Sequence, residues 1–95
     1  MLAMDDNTFL TPGELGIVIA KNARKRRKAR KLSMKRLSEI SGVSYGSLKR
    51  FESSGEIALQ SLLKIAILLD CSDAFEQLFA GARPQTIQEI IDGNL

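Results

Sequence analysis

Residues 33–55, SMKRLSEISGVSYGSLKRFESSG, hold two stretches in succession that each begin on serine and end on glycine. Nothing else in the chain restricts its fold as tightly. Ser33 and Ser44 carry short hydroxyls that accept a hydrogen bond from a free amide at a helix start. Gly42 and Gly55 suit the left-handed backbone that ends a helix. Between these marks, Leu37 and Ile40, then Leu48 and Phe51, fall three residues apart and predict one inward face per helix. The pattern predicts a helix-turn-helix. The small Ser38 lets its two helices approach, and Val43 plugs the gap after the turn.

The flanks read as helical too. Thr11, Pro12 and Glu14 have the order of a capping box with proline at the first helical position. Leu15, Ile19 and Ala23 follow at four-residue spacing, which predicts a first helix running to about Lys31. Residues 58–70 are apolar at Leu59, Leu62, Leu63, Ile65, Ala66, Leu68 and Leu69, a helix buried on nearly every side. A fifth helix over 71–80 would turn Phe75, Leu78 and Phe79 inward, with Cys71 as a filler or a minor redox sensor. Thr86 and Glu89 repeat the capping pattern before a short sixth helix that Gly93 can end. No segment alternates with period two. The expectation is an all-α, compact bundle of five to six short helices: an arm at 1–10, a domain at 11–80, and an extension at 81–95.

Charge sets the function class. The net charge is only +3, yet residues 21–50 hold twelve Lys/Arg against Glu39 alone, a local balance of +11. Such polarity points to a polyanion. Seven of those cations fill RKRRKARK at 24–31, the end of the first helix, where the macrodipole favours them. Extending the apolar stripe puts Arg26 and Arg30 partly over the core, their heads snorkelling outward. Arg24, Lys28 and Lys31 fall on the opposite face, for solvent or phosphate. With one cysteine and no histidine, a Cys/His zinc site cannot be built and the commonest general base is missing. No enzyme, metal or cofactor is expected. No apolar run is long enough for a membrane span, so the default setting is cytoplasmic.

The helix over 44–54 offers Ser44, Tyr45, Ser47, Lys49 and Arg50 at its first turn and outer face, as a helix that reads DNA must. With these residues in place, the chain resembles the Cro/repressor (XRE) family of helix-turn-helix regulators. The match runs from about residue 15 to 79, through LSMKRLSEISGVSYGSLKRFE, SLLKIA and FEQLF. Its phrasing is similar to a subgroup of HipB-like antitoxins that repress their own synthesis. The resemblance implies a lambda-repressor-like domain. It implies base contacts from Tyr45, Gly46 and Arg50, beside Lys49 on the same outer face, and phosphate contacts from Ser33, Lys35, Ser44 and Ser47, beside Lys28 on the open face of the first helix. Met34 stands where the family has a phosphate-binding glutamine, leaving Lys35 or the Ser33 backbone to compensate. For Arg50, base reading stands beside phosphate clamping or plain solvation. The resemblance also implies an ion pair between Arg27 and Glu52, fixing the first helix to the reading helix.

The resulting expectation is a regulator, taken as a repressor, that binds an operator in double-stranded DNA as a homodimer. Two alternatives stay open. One is an antitoxin whose main task is to hold a HipA-like toxin, with the acidic C-terminal third as the contact surface or as a packed tail. The other is a basic protein that coats nucleic acid without sequence preference.

Overall fold

The computed structural model describes residues 10–81, and within them every regular element is a helix. These are α1 (Pro12–Ala29), α2 (Met34–Ser41), α3 (Tyr45–Ser54), α4 (Leu59–Leu68) and α5 (Ser72–Glu76). Residues 1–9 of the expected arm at 1–10, and the expected helix over 86–92, lie outside the described residues.

Local chemistry sets most of the helix ends. Thr11 Oγ1 accepts from the Glu14 amide at 3.1 Å, and Glu14 Oε1 accepts from the Thr11 amide at 2.9 Å, closing a full capping box. Ser33 and Ser44 cap α2 and α3 in the same way, accepting from the amides of Arg36 and Ser47. Gly42 and Gly55 take the left-handed backbone at φ 80° and 81°.

The end of α1 departs from expectation: it stops at Ala29, two residues before Lys31. Lys31 itself is left-handed at φ 59°. The Leu32 amide then bonds back to the Arg27 carbonyl at 3.1 Å, and the Lys31 amide to that of Lys28 at 2.9 Å. This is a Schellman closure without its usual glycine, and it delivers Leu32 to the core. Asp70, at φ 58°, closes α4 by the same pattern.

One core joins α1, the α2–α3 pair and α4. Its buried members are Ala20, Leu37, Val43, Leu48, Phe51, Ile65 and Leu69. Burial of these side chains is the main stabilising term, at roughly 1.5–3 kcal/mol for each large one. The helix-turn-helix is drawn tight by its serines as well. Ser38 Oγ donates to the Val43 carbonyl at 2.5 Å, and Ser41 Oγ accepts from the Val43 amide at 3.1 Å.

Several inward assignments are corrected. Leu15 is exposed because its neighbour Gly16 faces α3; a Cβ on Gly16 would lie 2.9 Å from the Gly55 carbonyl oxygen. The inward face of α1 therefore runs through Gly16, Ala20, Ala23 and Arg27, out of step only at its start, with Ile19 packed against the core as expected. Ile40 is exposed, since α2 turns Ser38 and Ser41 toward the turn. Helix α4 is buried on one side only, at Ile65 and Ala66, while Leu59 and Ile67 are exposed. Phe75, within the short α5, is half-buried, but past that helix Leu78 is exposed and Phe79 wholly so, with φ 65°. Once α5 ends at Glu76, helical spacing no longer governs where those two side chains point.

Candidate nucleic-acid interface

Arg27 and Glu52 meet as a bidentate pair. Arg27 Nε donates to Glu52 Oε2 at 2.7 Å and Nη2 to Oε1 at 2.9 Å, with the two side chains 9% and 8% exposed. Nη1 donates to the Leu32 carbonyl at 2.7 Å. One guanidinium thus binds α1, the loop after it and α3 together. The orientation of α3 against the domain follows from this contact and from the close approach of Gly16 to Gly55.

The other cations of the run divide by face. Arg26 Nη1 donates to the Leu69 carbonyl at 3.2 Å, and Arg30 Nη1 to the Leu68 carbonyl at 3.4 Å. Both heads serve the carbonyl end of α4, where positive charge is favoured, and Arg30 also lies 3.6 Å from Asp70. Their heads do leave the core, but onto a helix end rather than into open solvent. Arg24, Lys25, Lys28 and Lys31 are exposed and make no ion pair with a described residue.

Arg24 and Lys49 line one shallow depression with Met34, Glu52 and Ser53. Arg24 is expected to meet solvent or phosphate, and Lys49 to read bases. The structure puts both beside the start of α2. Met34, the first residue of α2, lines the same depression as these two cations. Helical spacing alone offers the signal, since Arg24 lies one turn before Arg27 on the same face.

The remaining expected contacts are all exposed: Ser33, Lys35, Ser44, Tyr45, Gly46, Ser47 and Arg50, with Lys28 on α1. The hydroxyls of Ser33 and Ser44 are already engaged as caps, and Ser44 Oγ also donates to Ser47 Oγ at 2.8 Å. This leaves the hydroxyl hydrogens of Ser33 and Ser47 and the first amides of α2 and α3 to meet an anion. A Cβ on Gly46 would touch nothing within 4 Å, so the fold does not need glycine there. Arg50 lies on the other flank of α3. Its Nε donates to Glu56 Oε1 at 3.0 Å, and both share a depression with Ser47 and Ser61.

Two capped helices at a tight glycine turn, the second exposed along its outer face and flanked by cations, are what a DNA-reading domain needs. A family model described as helix-turn-helix, of XRE type, matches residues 24–75. The chain belongs to the XRE-type helix-turn-helix family. No curated protein and no solved structure matches it. The XRE-type domain is a DNA-binding regulator of lambda-repressor fold, and its family is regulatory rather than enzymatic. Among the described residues, no helix is long and apolar enough to cross a membrane.

Proposed function

We propose that the chain is a transcriptional repressor that reads an operator as a homodimer. Helix α3 lies in the major groove, with Tyr45, Gly46 and Arg50 toward the base edges. The starts of α2 and α3 rest on phosphates, assisted by Ser33, Lys35, Ser47 and Lys28. The observation that carries this reading is the depression shared by Arg24, Met34 and Lys49. There α1 and α3 bring cations to the amide end of α2, so three elements converge on one strand. Lys49 passes from base reader to phosphate contact in this arrangement.

A gel-shift titration over salt tests it. Binding falls steeply as salt rises, because bound phosphates release counterions. Arg24→Ala and Lys49→Ala each lower the salt slope by about one and weaken binding to all sequences alike. Binding that is independent of salt, or none at low salt, contradicts the proposal.

The exposed Ile67, Leu78 and Phe79 favour a protein partner as well, and we assign them to the second copy of the chain. The antitoxin reading uses the same surface for a HipA-like toxin. Co-purification of a kinase-like protein, lost in Phe79→Asp, would favour it over self-association.

A further inference from the structure

We infer that Glu56 is a positioning residue that decides what Arg50 reads, an inference that rests on the operator reading proposed above. Arg50 Nε and Nη2 both donate to the single oxygen Oε1 of Glu56. A guanidinium carries five N–H donors in a rigid fork. With Nε and one Nη2 hydrogen turned to Glu56, the end formed by Nη1 and Nη2 is left outward. That end has the parallel pair of donors that guanine O6 and N7 accept.

The carboxylate is itself held in place. Ser54 Oγ donates to the Arg50 carbonyl at 2.7 Å and accepts from the Glu56 amide at 3.2 Å, tying the two residues through one hydroxyl. Between them Gly55 turns the chain at φ 81° with its backbone pressed on Gly16; a Cβ on Gly55 would lie 2.5 Å from the Gly16 carbonyl carbon. Glu56 is thus anchored to α1 as well as to α3. The pair itself is open to solvent, with side chains 71% and 64% exposed. Exposed pairs of this kind add little to stability, so its consequence lies in where the guanidinium points.

The neighbourhood supplies the competing target. The depression around Arg50 also holds Ala58, the N-cap of α4, which gives that helix no side-chain cap. A phosphate is drawn to such a start, and an untethered Arg50 swings to it. Glu56 prevents this twice, by occupying one edge of the fork and by repelling phosphate. Glu56 therefore lowers total affinity and raises sequence preference.

Binding of wild type, Glu56→Gln, Arg50→Ala and the double variant is measured on a duplex selected from a random pool and on mixed-sequence DNA, with thermal melts alongside. Glu56→Gln is expected to melt with wild type, bind mixed DNA more tightly, and lose about tenfold in its preference for the selected duplex. In the Arg50→Ala background the same substitution leaves the preference unchanged. The inference is overturned if Glu56→Gln tightens both DNAs equally, if the preference is untouched, or if the effect persists without Arg50. Wild type showing no preference for any duplex overturns the operator reading instead, and this inference with it.

Discussion

Arg27 ties three pieces of chain together with one side chain, and its loss should be felt throughout the domain. Removing either member leaves the other charge buried without its partner, at a cost of ~3–5 kcal/mol. That is a large share of the roughly 5–15 kcal/mol by which such domains are stable. Urea unfolding of Arg27→Met and of Glu52→Gln should each show that loss; unchanged midpoints would contradict it. Gly46 makes the opposite case. With open space around its missing Cβ, Gly46→Ala should stabilise α3 by up to about 1 kcal/mol while weakening binding to the selected duplex, as seen by melting and gel shift together. A variant that gains stability and keeps its affinity would show that DNA does not approach closely there.

At the scale of elements, the contact that sets α3 against α1 is made of backbone. Gly16 and Gly55 approach until a Cβ on either would clash. Gly16→Ala should therefore cost about 1–3 kcal/mol by overpacking despite alanine's better helix propensity, and Gly55→Ala more, since it adds left-handed strain. A Gly16→Ala melt at or above wild type would refute the close approach. Little of this contact was legible in the sequence, because two glycines 39 positions apart (16 and 55) carry no mark of being neighbours. The caps were legible throughout: Thr11, Glu14, Ser33, Gly42, Ser44 and Gly55 act on backbone within four residues of themselves, so local chemistry decides them. The end of α1 was not, since a lysine in the left-handed region looks like any lysine. Exposure of Leu15, Ile40, Leu59, Leu78 and Phe79 was missed for a related reason. Periodicity says which side of a helix is apolar, but not whether another element arrives to cover it. For the site, family resemblance pointed to Arg27 and Glu52, while the meeting of Arg24 with Lys49 and of Arg50 with Glu56 needed the fold.

For the molecule as a whole, charge has been sorted by geometry. Of the cations in the basic run, Arg27 is internal, Arg26 and Arg30 close the end of α4, and Arg24 stands beside Lys49 at the start of α2. The run reads as one helix end whose faces have different duties. A coating protein would need only the sum of these charges. An operator-reading dimer needs α3 held at a fixed angle, and two copies spaced about one turn of DNA, ~34 Å, apart. Selection of bound duplexes from a random pool separates the two most directly. An operator-reading dimer enriches a near-palindromic sequence with half-sites about 10 base pairs apart and guanine opposite Arg50, lost in Arg50→Ala. A pool that stays random through repeated rounds, while binding still weakens with salt, would contradict it.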